Sequence, residues 1–142
     1  MSAINFKKLI LLPIVCMSIS SFIGLNPKPS VAAPGTCQFV EGGSYSNRHG
    51  NNQGVLSISD SSSQTGNGTL VNIFSGSWRL KSSTDSQPVT VQTAGSMFLM
   101  IRDMGEIKQV WTGTCGSDGF ARGIIYDPSV PSAKTSFIMK SQ

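Results

Sequence analysis

The chain has 142 residues, of which 11 are basic and 7 acidic, with one histidine and three cysteines. A chain of this length accommodates one ordinary domain, and a single histidine excludes multi-histidine metal sites. Three of the lysines, Lys7, Lys8 and Lys28, lie near the N-terminus, and the rest of the chain holds eight basic and seven acidic residues. No basic run remains, so the sequence predicts no nucleic-acid binding, which needs a concentrated basic face.

The N-terminus has the layout of a secretory signal peptide. Two lysines precede a largely apolar stretch at residues 9–25, and Ser30-Val31-Ala32-Ala33 offers small residues at the cleavage positions. We predict a signal peptide over residues 1–32, because cleavage one residue later would place Pro34 beside the scissile bond. The mature protein would be a single domain of residues 33–142, secreted or periplasmic, with no membrane attachment after cleavage.

Two other fates of this segment are considered. An uncleaved membrane anchor is the first, but Pro13 and several serines interrupt the apolar stretch. A lipoprotein is the second, and it needs a small residue before the modified cysteine, whereas Val15 precedes Cys16. We therefore expect Cys16 to leave with the signal peptide.

Cys37 and Cys115 are the two cysteines of the predicted mature chain. An even number of cysteines in an exported protein predicts a disulfide. The bond would close a loop spanning most of the domain and stabilise it by about 4–5 kcal/mol on the chain-entropy model. Two free thiols are the alternative.

Short β-type runs separated by turn residues follow one another along the mature chain. Residues 55–59 alternate apolar and polar side chains, and Asn67-Gly68 is a tight-hairpin dipeptide. Asp60–Thr65 and Ser82–Gln87 are predicted to be polar loops. Residues 97–101 form the one continuous apolar run and should be the most buried strand. Further strands are expected at residues 38–47, 69–74, 78–80, 88–91, 107–114, 120–126 and 135–139.

This pattern predicts an all-β fold of about eight strands. Short sequential hairpins favour an up-and-down antiparallel barrel, which closes the sheet and removes its exposed edges. A β-sandwich is the alternative. A barrel of this size either fills its interior with side chains or holds one small ligand.

Two stretches resemble the avidin family of eight-stranded, biotin-binding barrels. The first is a glycine, an aromatic residue, an asparagine and a glycine, and the second is an aromatic residue followed by Thr-Gly and a turn. In this chain they are Gly43, Tyr45, Asn47 and Gly50, and Trp111-Thr112-Gly113 with Asp118-Gly119. The resemblance implies a barrel in which Asn47 stands where the family's asparagine contacts the ureido oxygen of biotin.

The chain departs from the family at several positions that face biotin. Asn51 replaces a serine, Ile107 and Gln109 replace a polar pair, and no tryptophan lies in residues 97–101. The final strand has no aspartate to polarise the ureido group. Biotin is not the expected ligand, because a ureido group buried without hydrogen-bond partners would cost biotin most of its affinity for the protein. The opening motif is also similar to the first strand of lipocalins and of small secreted protease inhibitors built on that barrel.

The candidate ligand-binding residues are Tyr45, Asn47, Trp78 and Trp111, since barrel mouths use aromatic side chains in this way. The aromatic members could equally fill the core. His49 is expected to be an exposed loop residue, and Glu41 and Glu106 to be solvated charges without a shared cleft. No catalytic residue, metal site or cofactor is predicted.

The function predicted from these features is non-enzymatic binding of a small molecule or glycan at the barrel mouth. One alternative is a protein-interaction module, such as a secreted inhibitor or envelope component, that acts through residues 47–52 or 82–87. A hydrolase is the minor alternative. An open interior would favour ligand binding, and a filled one would favour the interaction module.

Overall fold

The structure is a computed structural model that describes residues 35–141. The predicted signal peptide, residues 1–32, and Cys16 lie outside the described residues. Eight antiparallel strands pair in chain order, and the last pairs with the first to close a barrel. The strands are β1 (Ser44–His49), β2 (Asn52–Gly66), β3 (Thr69–Leu80), β4 (Ser86–Ala94), β5 (Met97–Asp103), β6 (Lys108–Cys115), β7 (Phe120–Asp127) and β8 (Val130–Ser141). The predicted all-β barrel is confirmed, and the sandwich is excluded.

The β2–β3 hairpin is longer than the sequence predicts. Asp60–Thr65, expected to be a loop, belongs to β2 and pairs with β3 up to a turn at Asn67 and Gly68. That turn was predicted, and both of its residues adopt positive φ, 51° and 76°. The β2 side chains of this ribbon, residues 59–66, are exposed, so a search for alternating hydrophobic residues in β2 misses it. The buried apolar side chains of the ribbon lie on β3, at Val71, Ile73 and Phe74. The second expected loop, Ser82–Gln87, is also shorter, because β4 begins at Ser86.

One end of the barrel is closed by the segment that precedes β1. Cys37 in this segment forms the predicted disulfide with Cys115, the last residue of β6, across 78 positions of sequence. Phe39 enters the barrel there and packs on Tyr45, Phe74 and Phe98, with ring centroids 4.7, 6.0 and 5.9 Å away. We call this end the plugged end. Its closure is covalent.

Aromatic rings fill the interior from the plugged end to the opposite one. From Phe39 the contacts continue through Phe98, Phe137, Trp111 and Trp78, with centroids 5.1–5.9 Å apart at each step. Leu56, Val91 and Met100 also belong to this core and are fully buried. In the predicted apolar run of β5, Phe98 and Met100 belong to this core, and Leu99, which faces outward, is also buried. The barrel therefore fills its interior with side chains.

Candidate functional site at the His49 end of the barrel

Strand β1 contributes three side chains to the interior, because alternate residues of a strand face the same side. They are Tyr45, Asn47 and His49, at increasing distance from the plugged end. The hydroxyl of Tyr45 donates to the carbonyl of Gln38 (3.2 Å) and accepts from the backbone N–H of Val40 (2.8 Å). Burial raises the pKa of this phenol. Tyr45 therefore anchors the plug, and the structure separates it from the other predicted site residues.

The two tryptophans and His49 meet at the opposite end, which we call the His49 end. Trp78 and Trp111 have ring centroids 5.9 Å apart, and the imidazole lies 5.6 and 5.2 Å from them. The expectation that His49 is an exposed loop residue is wrong. It is the last residue of β1, in register with Phe137 of β8, and the strand alternation directs it into the barrel.

Arg102 closes the His49 end above the tryptophans. Its guanidinium lies 3.8 Å from the centroid of the Trp78 ring, within the range of a cation–π contact. It donates to Oε1 of Gln87 (2.9 and 3.2 Å) and to Oε1 of Gln109 (3.1 Å). The latter oxygen also accepts from Nε1 of Trp111 (2.9 Å). These contacts are noncovalent, in contrast to the disulfide at the plugged end.

Among residues 35–141, four buried polar atoms at this end have no hydrogen-bond partner. They are Nδ2 and Oδ1 of Asn47, Nδ1 of His49 and Nε1 of Trp78. Asn47 is 4% exposed and Trp78 is 1% exposed. Leaving such a group unpaired in a protein interior costs about 1–3 kcal/mol, so each of these atoms requires an explanation.

Gly54 of β2 shows that two of these groups lie side by side. A Cβ built on this glycine would lie 2.7 Å from Cε2 of Trp78 and 2.8 Å from Oδ1 of Asn47. The absence of a side chain at Gly54 therefore gives both groups their space. The indole N–H donor and the amide, which offers one acceptor and two donors, converge on one region of the interior.

The His49 end carries the positive charge of Arg102, which no acidic side chain among residues 35–141 neutralises. The hydrogen-bond partners of Arg102 among residues 35–141 are two neutral amide oxygens, and neither ion pair of these residues includes it. Burial lowers the pKa of Arg102. Burial, and secondarily the charge of Arg102, lowers the pKa of His49. The imidazole is therefore neutral at pH 7, and the site favours a polar or anionic group over a cation.

The lowered pKa of His49 predicts a loss of stability under mildly acidic conditions. The unfolded chain takes up a proton near the ordinary pKa of 6.5, before the folded protein does, so the free energy of unfolding should fall as the pH drops below about 6.5. Urea denaturation between pH 7.5 and 5 measures this effect. In His49→Gln the stability should be nearly constant over this range, because the aspartates with lowered pKa have an ordinary value of 3.8. An equal slope in both proteins would contradict the assignment.

Of the predicted ligand-binding residues, Asn47, Trp78 and Trp111 lie at this end of the barrel, whereas the residues that close it are not among those predicted. Arg102 follows Met100 by two positions in β5, so it shares the inward face of a buried strand. A charge at an inward position is the signal that could have identified it. Gln87 and Gln109 are also at inward positions, two residues before Val89 and Trp111, but a neutral side chain there is a weaker signal than a charge.

The other chemical candidates do not come together. Glu41 precedes β1 at the plugged end and Glu106 lies between β5 and β6 at the His49 end, and both are exposed. Within residues 35–141 no group of three His, Cys, Asp or Glu side chains is arranged to hold a metal ion. No helix long and apolar enough to span a membrane occurs in that part of the chain.

Comparisons with known proteins add no relative. No family model, no curated protein and no solved structure matches the chain.

Proposed function

We propose that the protein is a non-enzymatic binding protein of an oxidising compartment, which takes a small polar ligand at the His49 end of its barrel. The observation that carries the proposal is the set of four unpaired buried atoms on Asn47, His49 and Trp78. A ligand with both donors and acceptors would satisfy them. The Cys37–Cys115 disulfide is consistent with an extracellular location, and export through the predicted signal peptide is part of the proposal.

The chemistry of the site narrows the class of ligand. Asn47 and Trp78 suit a planar amide- or urea-like group, and Arg102 suits a negative charge. The ligand must be small, because the aromatic rings occupy the interior. It would enter by displacing the Arg102 side chain from Gln87 and Gln109, since these contacts are not covalent.

Asn47→Leu tests the proposal. This variant should lose ligand binding, yet it should be about 1–2 kcal/mol more stable than the wild type, because it removes two unpaired polar atoms at similar volume. Binding is measured by native mass spectrometry of the oxidised protein purified from cells that export it. Tryptophan fluorescence during titration with a protein-free small-molecule extract gives a second readout. Urea denaturation gives the stability.

Gln92→Leu is the matched control. Gln92 is also a buried amide, and its oxygen has no partner in the part of the chain that the structure describes. It differs from Asn47 in lying on the outward face of β4, where it pairs with Ile73 and Leu99. This variant should keep the wild-type adduct and fluorescence response. A wild-type protein without an adduct and without a fluorescence response would refute the proposal. So would equal binding by Asn47→Leu and the wild type.

A protein-interaction module is the second candidate function. The filled interior favours it, because six large side chains are less than 2% exposed and leave little room for a ligand. A surface-acting protein should tolerate Asn47→Leu without any change in its interactions. The same variant therefore distinguishes the two functions.

A further inference from the structure

The pairing of the strands gathers basic side chains on one outer face, although they are scattered along the sequence. Two neighbouring rows of outward residues cross β3, β2, β1, β8 and β7. The first row is Arg79, Val55, Ser46, Lys140 and Phe120. The second is Lys81, Gln53, Arg48, Ile138 and Arg122, with the N–H of Lys81 bonded to the carbonyl of Gln53. We call these ten residues the basic face.

The basic face holds five of the basic residues of the described chain, and all five are exposed. None of the seven acidic residues occupies a position in the two rows. Arg122 pairs with Asp118 at 2.6 Å, and it is the one member of the five in an ion pair within residues 35–141. The positive charge of this face is therefore largely uncompensated, which attracts an anionic partner.

A pocket of about 220 Å³ opens on the same face. Its lining includes Ser46, Arg48, Gln53, Lys81, Ile138 and Lys140. It thus combines cations with hydroxyl and amide groups, which bond to sugar hydroxyls, and with apolar side chains, which pack on sugar C–H surfaces. This mixture suits a polysaccharide.

The spacing of the charges favours a polymer with a sparse, regular charge. In the second row a cation stands on every second strand, at Lys81, Arg48 and Arg122. Neighbouring strands are about 4.8 Å apart, so these cations repeat about every 10 Å. In an extended polysaccharide with one carboxylate on each disaccharide, successive negative charges are separated by a distance of similar size.

Nucleic acid suits the face less well. Duplex DNA carries one charge for about every 1.7 Å, far denser than these cations, and single strands bind by stacking bases on aromatic rings. The ring on this face, Phe120, already has Arg122 and Lys140 at 5.0 and 5.3 Å from its centroid. We therefore propose that the basic face binds a linear acidic polysaccharide with about one negative charge per disaccharide.

The test compares two double variants that lose the same charge. Arg48→Gln with Lys140→Gln removes two cations of the basic face, whereas Lys108→Gln with Lys134→Gln removes two lysines outside it. The probe is fluorescein-labelled hyaluronan, which has one carboxylate per disaccharide, and fluorescence anisotropy measures its affinity. The wild type should bind it more weakly as salt increases, and the first variant should bind about tenfold more weakly than the wild type. The second should stay within about twofold.

Circular dichroism of both variants checks that the barrel is intact. Equal losses in the two variants would overturn the proposal, because binding would then depend on net charge alone. Absence of hyaluronan binding would also overturn it. Tighter binding to single-stranded oligo(dT), or to vesicles of anionic phospholipid, would assign the face to one of those partners instead.

Discussion

Replacing Cys37 and Cys115 with alanine is expected to lower the free energy of unfolding by about 4–5 kcal/mol. The disulfide joins positions 78 residues apart, so its loss allows the unfolded chain far more conformations. The folded state also loses support. Residues 35–43 lie outside the strands, and this segment carries Phe39 into the barrel. Without the bond, the plug depends on backbone contacts such as Gly35 N–H to the Cys115 carbonyl, at 2.8 Å.

Urea denaturation of the oxidised wild type and of the double variant measures this difference. Dithiothreitol should lower the stability of the wild type to a similar extent and should leave the variant unchanged, which separates the bond from the effect of the substitutions. A difference below about 1 kcal/mol would show that the contacts of Phe39 hold the plug by themselves. The proposed ligand site should survive in the variant, because it lies at the other end of the barrel.

The parts of the fold that the sequence predicts are those where side-chain chemistry repeats with the period of the backbone. Alternation at Val55–Ser59 identified β2, and the apolar run 97–101 identified β5. The turn at Asn67-Gly68 is predictable because its two central positions need positive φ, which Asn and Gly adopt more readily than other residues. The disulfide is predicted because a chain with a predicted export signal holds two cysteines beyond that signal.

The filled interior and the closure of the His49 end could not be predicted in the same way. The register of all eight strands decides which inward side chains meet. A register shift of one residue moves every side chain of a strand to the opposite face of the sheet. His49 looked like a loop residue because Asn47–Asn52 is polar, yet β1 continues through His49. The basic face was hidden for the same reason, since Arg48 and Lys140 are 92 positions apart in the chain and become neighbours only when β8 pairs with β1.

Gly123→Ala is expected to destabilise the protein by about 3 kcal/mol or more. Gly113 and Gly123 face each other in β6 and β7, and Phe98 and Phe137 flank them in the same row. With no side chains between them, the two phenyl rings meet edge to face at 5.4 Å. A Cβ on Gly123 would overlap the backbone oxygen of Thr112 and lie 2.6 Å from the Cα of Gly113. The backbone atoms of Thr112 and Gly113 cannot move away, because β6 is hydrogen-bonded to a strand on each side. The pairing of β6 with β7 must therefore be distorted.

Gly66→Ala provides the matched control for this substitution. Gly66 is also a strand residue, but a Cβ there would meet nothing within 4 Å, so its stability should stay within about 0.5 kcal/mol of the wild type. Urea denaturation of both variants measures the contrast, and near-ultraviolet circular dichroism reports the packing of the aromatic rings. If Gly123→Ala matched the control in stability and kept its aromatic signal, β6 and β7 would have to lie farther apart than the row Phe98–Gly113–Gly123–Phe137 requires. That result would also contradict the continuous series of aromatic contacts from Phe39 to Trp78, because the contact of Phe98 with Phe137 is part of that series.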